Sequence, residues 1–151
     1  MANARVVSAI LAAGVITAGL TVSNARAGGP DGGVDQFAAV GSGTFIDPQN
    51  ADESVEVGFS ATGATAADAS AAVIAACQAD GGQDCTSDMV TNDNLCIASV
   101  GDDISDVVAG GSGVSVEAAR LDAIGRAAAN NTPMSPGALV VISVCPNGVA
   151  Q

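Results

Sequence analysis

Carboxylates are the only side chains in this sequence that could run acid–base chemistry. The 151 residues hold 16 Asp and Glu and four Arg, with no Lys and no His. Without an imidazole, no Ser-His-Asp or Cys-His nucleophile can be activated. Without a lysine, Ser-Lys and Schiff-base mechanisms fail as well. Paired-carboxylate hydrolysis is the enzymatic route left, in which one group protonates a leaving oxygen while the other attacks or activates water. Its candidates are Asp102, Asp103 and Asp106, or Glu53 and Glu56. Clustered carboxylates on loops are far more often solvated charge, so no catalytic residue is assigned. The Asp102-Asp103-x-x-Asp106 group offers hard oxygens to Ca²⁺ but lacks EF-hand spacing. The glycine turns Gly41-Ser42-Gly43 and Gly110-Gly111-Ser112-Gly113 match neither G-x-S-x-G nor a phosphate loop. Cys77, Cys85, Cys96 and Cys145 make no C-x₂₋₄-C pair, and zinc without His would need one. No metal and no cofactor is expected.

The first 27 residues say where this chemistry would take place. Arg5 precedes an apolar and small-residue run from Val6 to Val22, and Ala25-Arg26-Ala27 reads as an A-x-A cleavage site. That is the layout of a secretory signal peptide, with Gly28 as the new N-terminus. The Ala- and Gly-diluted run is short for a bilayer span of about 20 residues. Export puts the four cysteines in an oxidising compartment, where disulfides form. The expected organisation is a leader over 1–27, a flexible Gly/Pro/Asp-rich start over 28–36, one domain over 37–146 and a flexible tail over 147–151. After cleavage the protein is secreted or held at the cell envelope, with no integral membrane association.

Leader removal takes away Arg5 and Arg26 and leaves two arginines against 16 acidic residues. Such a balance repels phosphate backbones and anionic lipids, so nucleic-acid binding is not expected. A basic protein partner fits the charge. Arg120 and Arg126 fit intrahelical ion pairs instead, with Glu117 three residues before the first and Asp122 four before the second. The Ala/Gly/Asp/Val bias suggests a high-GC bacterium.

These residues need elements to position them. Phe37–Val40 reads as a short strand ending at the Gly41–Gly43 turn, Asp47–Glu53 as a polar loop with Pro48, and Val55–Ala61 as an alternating strand. Thr65-Ala-Ala-Asp68 opens a helix in capping-box fashion, and Ala69, Val73 and Ala76/Cys77 share a face down to Gly81-Gly82. Cys85–Thr91 and Leu95–Val100 follow as strands, with a turn at Gly101-Asp-Asp and a strand from Val107. Ser115 caps a second helix running to about Ala128, with Val116, Ala119/Leu121, Ala123 and Ile124 as its apolar stripe. Leu139–Val144 is β-branched and uncharged, as a central strand would be.

Val57–Cys77 lies over Val107–Ala127 without a gap. Val57 matches Val107, Gly63 matches Gly113, Thr65 matches Ser115 and Ile74 matches Ile124; upstream, Ala38–Gly41 matches Ala98–Gly101. The expected fold is therefore α+β: one domain of two similar strand-strand-helix-strand repeats, an antiparallel sheet packed by two helices and stapled by disulfides. In the second copy the counterparts of Cys77 and Cys85 are both missing. Bonded partners should disappear together, which favours Cys77–Cys85 and leaves Cys96–Cys145. The loop-entropy relation assigns about 2.5 kcal/mol to the short loop and about 4 kcal/mol to the long one.

Several of these segments also resemble a family of small secreted bacterial proteins, frequent in mycobacteria, catalogued as domain of unknown function 4189. They are Phe37–Gly43, the Gly63-x-Thr65 and Gly113-x-Ser115 helix starts, Ala-Ala-Cys77, Gly81-Gly82-x-x-Cys85, Asn94-Leu-Cys96-Ile-Ala98 and Val144-Cys145. The resemblance covers Phe37 to Cys145 and implies an exported, duplicated α+β domain. It carries no catalytic residue over to this chain. Together these readings point to a secreted, non-catalytic protein that contacts a host or envelope partner. The alternative is a carboxylate-dependent hydrolase of envelope glycans.

Overall fold

The computed structural model describes residues 36–47 and 50–146. The expected leader over 1–27, the 28–36 start except Gln36, and the 147–151 tail lie outside the described residues.

Two helices and six strands follow in the order β1 (Phe37–Asp47), β2 (Asn50–Gly63), α1 (Ala66–Ala79), β3 (Met89–Thr91), β4 (Cys96–Asp102), β5 (Val107–Gly113), α2 (Val116–Ala129) and β6 (Leu139–Val144). The chain is α+β, as expected, but its strands do not share one sheet. They form two three-stranded antiparallel sheets, ordered β2-β1-β3 and β5-β4-β6. Each half therefore runs strand, strand, helix, strand, with its first strand in the middle.

The sheets stack face to face, with β2 over β6, β1 over β4 and β3 over β5, and each carries its own helix on the outer face. Three apolar layers result. Ala39, Ala69 and Val73 fill the space under α1, with Phe37, Phe59, Ala61 and Val90 around them. Ala38, Val40, Ile97 and Val144 meet between the sheets. Ala98, Val100, Ala119, Ala123, Ala127, Met134 and Ala138 lie under α2. A strand with a helix on one face and a second sheet on the other must be buried on both, and all seven residues of β4 are buried. That two-sided burial is why the single sheet is corrected to two.

Both helices bury residues at four-residue spacing, Ala69, Val73 and Cys77 in α1 and Ala119, Ala123 and Ala127 in α2. This is one stripe of a 3.6-residue helix. Leu121, placed on that stripe by the sequence, is 56% exposed instead. Small side chains let the helices approach closely. A Cβ on Gly63 would lie 2.3 Å from the Ala69 nitrogen, and one on Gly113 would lie 2.8 Å from the Ala119 nitrogen. The strand passes directly under the first helical turn in both halves, so glycine stands there twice. Thr65 and Ser115 then accept hydrogen bonds from the Asp68 and Ala118 amides, each satisfying a donor the helix leaves unpaired. Both helices end in a left-handed residue, Gly81 (φ 89°) and Asn131 (φ 62°).

Several boundaries differ from expectation. Gly41–Gly43 is not a turn but the middle of β1, and Asp47–Glu53 shortens to the connection between β1 and β2. The expected strand Cys85–Thr91 is regular only over Met89–Thr91, although the Thr86 and Asp88 amides already bond to β1 carbonyls. The turn expected at Gly101-Asp-Asp begins after Asp102, because β4 runs through that residue. β6 is an edge strand, not a central one; its apolar residues are needed because β2 of the other sheet covers one of its faces. The match of Ala38–Gly41 to Ala98–Gly101 is out of phase. Phe37 pairs with Gly63 whereas Cys96 pairs with Gly113, so Ala39, not Ala38, stands where Ala98 does. A one-residue slip on a strand exchanges its two faces: Ala38 points between the sheets, and Ala98 points at α2.

Candidate functional site

The four cysteines form Cys77–Cys85 and Cys96–Cys145, the pairs favoured in the sequence. The first ties the end of α1 to the segment leading into β3. The second closes the pair β4 and β6 at one end, just beyond Ile97 opposite Val144.

The carboxylates singled out in the sequence do not converge. Asp102 is 5% exposed and turned inward from the end of β4. Its Oδ2 accepts from Ser105 Oγ and from the Ser135 amide, both at 2.7 Å, and its Oδ1 accepts from Ser135 Oγ at 2.7 Å. Hydrogen bonds from Ser105 and Ser135 pull its pKa down to about 2, because they favour the charged form. Asp103 and Asp106 are exposed in the turn that follows. Glu53 and Glu56 stand three apart on β2, so they point to opposite faces. Among the described residues no group of His, Cys, Asp and Glu is arranged to hold a metal ion.

A different acidic group is assembled by the topology. Glu56 faces the gap between the sheets and accepts from Thr44 Oγ1 at 3.4 Å. Asp88, just before β3, accepts from Thr86 Oγ1 at 2.6 Å through Oδ1. Its Oδ2 accepts from Ser42 Oγ of β1 at 3.3 Å and from Ser99 Oγ of β4. Asp88 thus joins the central strands of both sheets through two fully buried hydroxyls. Burial holds the Glu56 carboxyl above its ordinary range; hydrogen bonds from Ser42 and Thr44 oppose this, while the charges of Asp88 and Asp106 reinforce it. Sequence reasoning missed Asp88, since its partners sit 46 and 11 residues away and no local pattern announces them.

The arginines behave largely as their spacing predicts. Arg120 bonds Glu117 through Nε and Nη2, each at 2.8 Å, and Arg126 bonds Asp122 at 2.8 Å. Arg120 also donates from Nη1 to the Pro136 and Ala138 carbonyls at 3.1 and 3.0 Å, so it ties α2 to the segment entering β6. Arg126 lines an open cleft of about 290 Å³ with Asp88, Val108, Gly110, Asn130 and Thr132.

The family model for domain of unknown function 4189 matches residues 46–145. The chain belongs to that family. The match starts inside β1 rather than at Phe37. No curated protein and no solved structure matches the chain. The two disulfides suit an oxidising, extracellular setting, and among the described residues no helix is long and apolar enough to cross a membrane.

Proposed function

We propose that the protein is an exported, non-catalytic interaction module whose partner is a basic protein of the host or the cell envelope. The observation that carries this reading is uncompensated negative charge. Among the described residues the only cationic side chains are Arg120 and Arg126, and each is spent on a carboxylate of its own helix. Among the described residues, the exposed acids Asp80, Asp84 and Asp93 meet no further cationic side chain, since none is present. Charge of one sign steers a partner of the other. Cleavage between Ala27 and Gly28, a bacterial and mycobacterial-type source, and an origin by duplication belong to the same proposal. The disulfides support export, and the shared element order of the halves supports duplication.

The test is association of the oxidised Gly28–Gln151 protein with a panel of basic and acidic proteins at low and high salt. Binding restricted to basic members and weakened by salt supports the reading. Equal binding to both sets, or none, overturns it. N-terminal sequencing of the exported protein checks the cleavage position.

A second reading, a carboxylate-dependent hydrolase of envelope glycans, is favoured by one observation: Glu56 is half-buried, shifted upward and close to Asp88. Two neighbouring carboxyls, one of them held above its ordinary range by burial, are the kind of pair from which such hydrolysis draws its acid and base. It requires glycan cleavage that disappears in Glu56→Gln and in Asp88→Asn.

A further inference from the structure

We propose that the gap between the two sheets is an acid-tightened seam, with Glu56 as its responsive group and Asp88 and Asp106 as the acids it faces. The inference does not rest on the proposed function.

Ser42 Oγ lies against both Asp88 and Glu56. A hydroxyl has one proton to donate, so with both carboxylates ionised one of them loses the Ser42 bond and keeps only its other donors, Thr44 for Glu56 or Thr86 and Ser99 for Asp88. Protonated Glu56 supplies the missing donor and removes one of the converging charges. Among the described residues no cationic side chain takes this role. β1 presents only the hydroxyls of Ser42 and Thr44 to Glu56. β6, lying over β2, contains no ionisable residue. The segment before β3 brings Asp88, and the turn between β4 and β5 brings Asp106. Arg126 shares the cleft with Asp88 but is ion-paired with Asp122. Burial raises the energetic cost of the charged form further.

The sign follows from linkage. A carboxyl raised above its ordinary 4.5 in the folded state binds its proton more tightly folded than unfolded. Its stabilisation is complete below about pH 4.5 and is lost as pH rises through the folded value.

The experiment is chemical denaturation of the oxidised protein from about pH 4.5 to about pH 7.5, for the unaltered chain, Glu56→Gln and Asp93→Asn. Asp93 is an exposed acid in the loop after β3 and serves as the control for net charge. The unaltered protein should lose midpoint as pH rises. Glu56→Gln should keep a higher midpoint at the upper pH and lose most of that dependence, while Asp93→Asn keeps it. NMR titration of the Glu56 side-chain carboxyl in the unaltered protein should give a midpoint above 4.5. The proposal falls if Glu56→Gln keeps the full dependence, or if Glu56 titrates at or below 4.5. Should Glu56→Gln fail to fold, the titration decides alone.

Discussion

In the first half, the segment between α1 and β3 is held by the Cys77–Cys85 bond; in the second, the segment between α2 and β6 is held by the carboxylate of Asp102. The two devices occupy the same place. Gly43 pairs with Val57 and Asp102 pairs with Val107, and those valines stand equally far ahead of Gly63 and Gly113. Gly43 is bare because the disulfide lies across it: a Cβ there would meet the Cys77 sulfur at 2.2 Å. Where the sulfur bridge is absent, the strand carries an acid that accepts three hydrogen bonds. Each helix adds one more tie, Ser70 accepting from Ser87 in the first half and Arg120 reaching two carbonyls in the second. One architecture therefore tolerates a covalent or a polar clasp, and the two answer to different conditions.

Substitutions at the two clasps should separate their effects. Asp102→Ala should have the largest effect, about 3 kcal/mol, because it strands the Ser135 amide and removes charged hydrogen bonds. Hydrogen exchange should then rise over Thr132–Ala138 while Gly82–Asp88 stays protected. Replacing Cys77 and Cys85 together by Ala should cost about 2.5 kcal/mol and give the mirror-image exchange pattern. Equal loss of protection in both segments would contradict the comparison.

Acid should select the second half without any mutation. The Asp102 pKa is lowered from 3.8 to about 2, so its stabilisation is full above the ordinary value and fades as pH falls through the folded one. That loss amounts to about 2 kcal/mol, and exchange near Ser135 should report it first. Thr65→Ala and Ser115→Ala should each cost about 1 kcal/mol. Similar losses in denaturant midpoint would show that the caps, unlike the clasps, are equivalent. Arg126→Gln should cost only a few tenths of a kcal/mol, since its pair with Asp122 is exposed; thermal denaturation suffices to check it.

What could be read in the sequence was whatever acts over short distances. Thr65 and Ser115 mark the helix starts because a cap bonds within one turn. Arg120 with Glu117 and Arg126 with Asp122 follow from helical spacing. The paired absence of cysteines from the second half pointed to Cys77–Cys85. Contacts set by strand register were hidden. Ala38–Gly41 looks like Ala98–Gly101 in letters, yet the pairings Phe37 with Gly63 and Cys96 with Gly113 put the two stretches one residue apart. Asp102 looked like one of three loop acids because its anchor Ser135 lies 33 residues on. The split into two sheets was equally hidden, since an alternating pattern does not name the surface that covers each face.

The bond between Cys96 and Cys145 turns most of the second half into a closed loop of chain, while Cys77–Cys85 closes only a small ring in the first. No covalent link other than the backbone joins the halves among the described residues. A protease that nicks the exposed stretch Asn92–Asn94 would therefore yield two pieces held without any covalent bond, by sheet-to-sheet packing and the hydrogen bond from Ser99 to Asp88, whereas a nick anywhere between Cys96 and Cys145 would leave a single molecule. The stretch at Asn92–Asn94 is the natural place to split this protein into fragments that reassemble.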